Sequence, residues 1–191
     1  MKSVMPSCDA LPTMKRHELE HVIRAAAGNA NVRDIVVVGS QAILGTYPDA
    51  PDELTKSIEA DVFPKDAPER AIVIDGAIGE LSMFHETFGY YAHGVDETTA
   101  VLPNGWKERL VRLENDNTMG ACGWCLEVHD LALSKLIAGR EKDRDFVQGM
   151  LRRSMVVKER IHERLQQTPG LSPDRLHEME MRLLRWCQFP A

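Results

Sequence analysis

Apolar and polar positions along the 191-residue chain change their period several times, and each change marks an element. In TMKRHELEHVIRAAAGN, Leu19, Val22, Ile23 and Ala26 recur at helical spacing, and Gly28 and Asn29 end the pattern, which predicts a helix. DIVVVGS is a short continuous apolar run, as expected of a strand buried on both faces. SQAILGTY has the character of a short helix opening just after the Gly39–Ser40 turn, and PDAPDELTK is a Pro- and Asp-rich loop. SIEADVFP returns to period two and predicts a second strand, with Ile58, Ala60 and Val62 on one face and Glu59 and Asp61 on the other. APERAIVIDGAIGEL suits a helix with Pro68 in its first turn. FGYYAHGVD and WKERLVRLEN read as strands separated by the turn-forming LPNG, and GWCLEV reads as a further short strand. From HDLALSKLIAG onward the pattern is helical, with breaks near Gly139 and at QTPGLSPDR. The last helix, PDRLHEMEMRLLRWC, is amphipathic through Leu176, Met179, Leu183 and Leu184.

This order predicts an α/β (α+β) protein: a mixed sheet flanked by helices, followed by a helical tail. The expected division is a flexible lead over 1–13, a domain over 14–150 and a C-terminal helical extension over 151–191. Apolar content of 43% and charged content of 27% are ordinary for a globular protein. No apolar run approaches the ~20 residues needed to cross a bilayer. The first residues, MKSVMPSCDALPTMKRHE, lack the apolar core of a secretory signal, so the expected location is cytoplasmic, with no membrane partner. A net charge of −6 argues against a general nucleic-acid binder. The charge is uneven, because residues 151–191 hold eight Lys/Arg against five Asp/Glu. The amphipathic last helix, with Trp186 and Phe189 near its end, would pack on the core or form a homodimer face.

Four cysteines, Cys8, Cys122, Cys125 and Cys187, make no disulfide framework in a chain of this size. Cys122 and Cys125 have C-x-x-C spacing, but no second ligand pair accompanies them, and they read as small apolar fillers. His85 and His129 read as capping or core hydrogen-bonders, and Tyr90, Tyr91 and Trp106 as core aromatics.

Three features point to chemistry. Gly39–Ser40 stands where a buried strand hands over to a helix, a place that suits phosphate oxygens. Glu59 and Asp61 stand on one strand face about 7 Å apart along the chain. Two anions that close call for a divalent cation, a basic side chain or water between them. Strand, Gly–Ser turn, helix, loop and a strand bearing E-x-D is together the arrangement metal-assisted nucleotidyl transfer requires. The third feature is DLALSKLIAGREKD, where Lys135, Arg140 and Lys142 could gather around a triphosphate. On one unbroken helix Lys135 and Lys142 would share a face with Asp143 about 80° round, but a break at Gly139 would change that geometry. The competing reading of Arg140, Glu141, Lys142 and Asp143 is a solvated, mutually paired helix surface.

VVVGSQAIL, SIEADVFP and DLALSKLIAGREKD together resemble the small bacterial nucleotidyltransferase-fold proteins of the DNA polymerase β superfamily, in a branch related to AbiEii-type toxins and minimal nucleotidyltransferases. The resemblance covers roughly residues 30–150. It implies a nucleotidyltransferase-like sheet and a magnesium-dependent transfer of NMP from an NTP to an RNA (tRNA included), a protein or a small molecule. Gly39, Ser40, Glu59 and Asp61 meet the superfamily pattern, and Lys135 and Asp143 occupy the positions of the later Lys and Asp. The implied metal ligands are Glu59 and Asp61. The implied phosphate-binding residues are Gly39, Ser40, Lys135, Arg140 and Lys142. A toxin-like role would bring an antitoxin partner. The sequence departs from the pattern in having Glu59 for the first acid and in lacking a clear third carboxylate, for which Asp96, Glu114 and Glu127 are the candidates. His93 falls on the strand face shared with Tyr91 and Val95. The alternative is a catalytically degenerate protein of the same fold that binds or regulates.

Overall fold

The computed structural model describes residues 12–188, so Cys8, Phe189 and most of the expected N-terminal lead lie outside the described residues. The elements run α1 (Arg16–Ala30), β1 (Asp34–Val37), α2 (Ile43–Thr46), β2 (Glu59–Pro64), α3 (Ala71–Ile78), α4 (Met83–Phe88), β3 (Tyr91–Gly94), β4 (Val111–Leu113), β5 (Cys122–Cys125), α5 (Val128–Ala138), α6 (Glu141–Arg152), α7 (Lys158–Gln166) and α8 (Pro173–Trp186). The five strands form one mixed sheet in the order β3-β2-β1-β5-β4. β1 runs antiparallel to β2 and parallel to β5; β2 and β3 are parallel, and β4 and β5 antiparallel.

The central position of β1 explains its unbroken apolar run. Ile35, Val36 and Val37 are all buried, because the strand is covered on both faces and paired on both edges. Along one face the sheet receives α1 and α3, and the side chains there are small where the helices come close. A Cβ at Gly123 would lie 2.5 Å from Ile23 of α1, and one at Gly94 would lie 2.0 Å from the carbonyl oxygen of Ala71 in α3. The register puts Tyr91 opposite Glu59 and His93 opposite Asp61 on the other face. Strand alternation therefore sends Ala60 and Val62, both fully buried, into the helical layer and leaves the acids outside it.

The C-terminal helices α5 to α8 pack on one another, and α5 also touches α2. Ile161, Leu165, Met179, Leu183 and Trp186 belong to the same apolar cluster as the sheet. The last helix lies on α5, α6 and α7, and Arg182 donates from it to the Leu136 carbonyl at 2.8 Å.

Several local expectations are revised. FGYYAHGVD holds only the four-residue β3, because Phe88 and Gly89 end α4: Ser82 caps that helix by accepting from the His85 N–H, and Gly89 closes it in the left-handed region at φ 78°. WKERLVRLEN holds only the three-residue β4, since Lys107–Arg109 close a 3₁₀ turn first. GWCLEV stops being a strand after Cys125, because Glu127 turns its carboxylate onto the His129 and Asp130 N–H groups and caps α5. Asp130 lies in the first turn of that helix, where its charge suits the positive end, and is fully buried between Arg109 and Arg164, with oxygen–nitrogen distances of 2.8 and 3.2 Å. Cys122 and Cys125 are buried and unpaired, as fillers should be. Burial pushes the Cys125 thiol up to about 12, far from a reactive thiolate.

Candidate active site

The Gly–Ser turn meets the acidic strand at van der Waals contact. β1 ends in a backbone bond from the Val38 N–H to the Asp61 carbonyl, and Gly39 follows directly. Gly39 has an ordinary backbone (φ −74°), so no left-handed conformation demands glycine there. Space demands it: a Cβ at this position would lie 2.1 Å from Oδ2 of Asp61. The close approach anticipated for a ligand is thus taken first by the carboxylate. Ser40 opens a short 3₁₀ turn that leads into α2, and its side chain is half-buried.

A residue not singled out from the sequence fixes this turn against the strand. Gln41 is fully buried, and its Nε2 donates to the Ser57 carbonyl at 2.9 Å, two residues before Glu59. Its only signal in the sequence is a polar residue inside an apolar segment. Gln41→Glu would place a carboxylate against the Ser57 and Thr55 carbonyls, where only its protonated form can donate. The introduced carboxyl therefore has a folded pKa above its unfolded value, and stability falls as pH rises from about 4.3 through the folded pKa. Thermal melts should show a deficit of about 2–3 kcal/mol at pH 7 that shrinks as pH falls through the folded pKa and is gone below about pH 4.3.

Glu59, Asp61 and His93 come together on the open face of β2 and β3, each offering a ligand atom within 4.8 Å of the others. His93 Nδ1 lies 3.2 Å from Asp61 Oδ1 and 3.3 Å from Glu59 Oε1. Tyr91, expected to be a core aromatic, donates its hydroxyl to Glu59 Oε2 at 2.8 Å. That bond leaves Oε1 as the oxygen facing the cluster. His85 of α4 packs against the Tyr91 ring at 4.7 Å with the two planes tilted by 44°, and its Nδ1 accepts from the Leu81 N–H, so it acts as a capping residue and props the tyrosine.

The two acids titrate differently. Burial, followed by the neighbouring Glu59 carboxylate, pushes Asp61 above the usual range. Burial alone would raise Glu59 too, but the hydrogen bond from Tyr91, the interaction with Asp61 and the nearby His93 outweigh it and hold Glu59 low. Such a pair wants positive charge. A cradle of two carboxylates and an imidazole, with the backbone beside it cleared of a Cβ, fits a divalent cation.

None of the three candidate third carboxylates enters this cluster. Asp96 caps a 3₁₀ turn by accepting from the Thr98 N–H at 2.8 Å. Glu114 pairs with Arg33 and Arg112 beside β4. Glu127 caps α5 and pairs with His129 Nδ1 at 2.7 Å, which gives His129 its structural role. His93 holds the third place instead.

Basic groups approach Asp61 from α5 and α6. Gly139, at φ 71°, breaks the helix, and Asp143 opens the next one by accepting from the Arg140 N–H at 3.2 Å. The break is what returns Asp143 to Lys135, at 3.5 Å between Oδ1 and Nζ. Asp143 is almost fully buried and also receives Arg140 Nε at 2.7 Å and NH2 at 3.2 Å. Burial pushes Lys135 down, against the pull of Asp143. The fields of Lys135 and Arg140 both reach Asp61. Lys142 is exposed on α6 and joins none of these pairs. The arrangement is an open sheet face. Two surface hollows, of about 440 Å³ near Met14–Arg16 and Pro48–Asp52 and about 230 Å³ near Leu102–Glu108, are lined by other residues.

Among the described residues no helix is long and apolar enough to cross a membrane. No curated protein and no solved structure matches the chain. Residues 17–189, from the first turn of α1 to beyond the end of α8, match the family described as nucleotidyltransferase of unknown function (DUF6036), and the chain belongs to that family.

Proposed function

We propose that the protein is a divalent-cation-dependent nucleotidyltransferase of the DNA polymerase β kind, moving NMP from an NTP to a hydroxyl on an RNA, a protein or a small molecule. The observation that supports this reading is the meeting of Glu59, Asp61 and His93, with ligand atoms within 4.8 Å of one another, on the strand that the Gly39–Ser40 turn packs against. Glu59 and Asp61 would hold the cation, and Mg²⁺ is the ion the family resemblance implies for two carboxylates. When bound, the cation supplies charge neutralisation across the phosphate oxygens. Ser40 and the backbone N–H groups of its turn would receive the outer phosphates. Lys135, held by Asp143, would face the charge that develops on the leaving pyrophosphate, with Arg140 beside it. Asp143 positions Lys135; buried under two cations of its own, it is remote from any ligand role.

The test is transfer of label from each α-labelled NTP to cellular RNA and protein with divalent cation present. Acceptor labelling that requires the cation supports the reading. Binding of NTP without transfer to any acceptor would favour the degenerate, regulatory alternative. In that case saturating nucleotide, at about 100 times its dissociation constant, would still stabilise the fold by about 2.7 kcal/mol. Lys135→Met should lower the transfer rate by about 10²–10³-fold at saturating NTP. Its melt should stay close to that of the parent, because Asp143 keeps both bonds from Arg140.

A further inference from the structure

The third group in the cradle is an imidazole where this chemistry usually finds oxygen. Donors at ~2.1 Å from a cation and ~90° apart stand about 3.0 Å from one another. His93 Nδ1 is 3.2 Å from one carboxylate oxygen and 3.3 Å from the other, both near that donor spacing, and the three ligand atoms lie within 4.8 Å of one another. Each acid presents a single oxygen to that face, since Tyr91 holds Glu59 Oε2 and Asp61 Oδ2 is turned towards Gly39. Strand pairing fixes the arrangement, because His93 is the direct partner of Asp61 in the β2–β3 register.

Replacing a third carboxylate by a neutral imidazole changes which cation the site favours. The donor set carries two negative charges instead of three, and a hard ion such as Mg²⁺ gains little from nitrogen. A first-row transition ion gains from the nitrogen what it loses in charge. We propose that His93 is a metal ligand through Nδ1 and that it turns the preference of the site from Mg²⁺ towards first-row transition cations, of which Mn²⁺, the hardest, is the most stringent probe. This inference rests on the nucleotidyltransferase reading for the existence of the cation. It replaces the Mg²⁺ that the family resemblance implies.

The experiment uses the full chain with Mn²⁺ and Mg²⁺ as probes. Mn²⁺ binding is followed by electron spin resonance, Mg²⁺ by its competition, and nitrogen coupling to the bound Mn²⁺ by electron spin echo. The wild type should bind Mn²⁺ at least about tenfold more tightly than Mg²⁺ and show coupling to one nitrogen. His93→Ala should lose that coupling, and His93→Asp should lose it while the Mn²⁺/Mg²⁺ ratio falls towards one. The His93 side chain is half exposed, so thermal melts of both variants should stay near the parent's. Mn²⁺ binding that is abolished by Asp61→Asn but carries no nitrogen coupling, or a coupling that survives in His93→Ala, overturns the role of His93 and leaves the two-acid site standing. Absence of saturable cation binding, or binding indifferent to Asp61→Asn, overturns both.

Discussion

Asp61→Asn should abolish nucleotidyl transfer, by at least about 10³-fold, while leaving the protein as stable as before or more so. The two effects have one cause. Asp61 is turned inward against Gly39, and burial and Glu59 both oppose its charge. An acid whose folded pKa is raised detracts from stability above its unfolded pKa of about 3.9, and the loss grows as pH rises through the folded value. Asparagine keeps the shape and removes that charge. Compared with wild type, the variant's melting temperature should therefore gain as pH goes from 4 to 8, at about 2–4 °C per kcal/mol for a chain of this length. The same charge is what a cation would need, so the site sets stability against activity. Transfer at the wild-type rate would remove Asp61 from the mechanism. A melt that drops at every pH would mean that the carboxylate serves the fold.

Much of this site was legible in the sequence, and the boundary is physical. The E-x-D alternation in SIEADVFP fixes two carboxylates on one face whatever the rest of the chain does, and β2 carries them so. The unbroken apolar run before Gly39 requires a central strand, which β1 is. What pairs with β2 was not legible. His93 and Asp61 are 32 residues apart and meet only because β3 lies parallel to β2 in one particular register, and strand pairing leaves no periodic mark in a single chain. The carboxylates that sequence position offers for a third place, Asp96, Glu114 and Glu127, are each taken by a local cap or an arginine. The Lys135–Asp143 contact was implied by resemblance but not by spacing, since the turn at Gly139 sets it. Gln41 shows only as a polar residue in an apolar segment, because the group it bonds is the backbone of Ser57, and carbonyls have no sequence signature.

Gly39→Ala should disable the site through one added methyl group. The new methyl carbon would fall 2.1 Å from Asp61 Oδ2 and 2.9 Å from its carboxyl carbon, so either the carboxylate swings out of the cradle or the turn lifts off β2. The turn is poorly able to move, because Gln41 ties it to Ser57 and the Val38 N–H ties it to Asp61. The carboxylate is the softer partner, and the expected result is loss of cation-dependent transfer with a stability cost of about 1–3 kcal/mol. A double-mutant cycle separates this from general damage to the turn. Adding Asp61→Ala to Gly39→Ala deletes the group the methyl strikes, so most of the lost stability should return while transfer stays absent. Additive losses in the double variant would show that Gly39 is needed for the backbone itself, and the close packing of glycine against acid would then lose its standing as the feature that shapes the site.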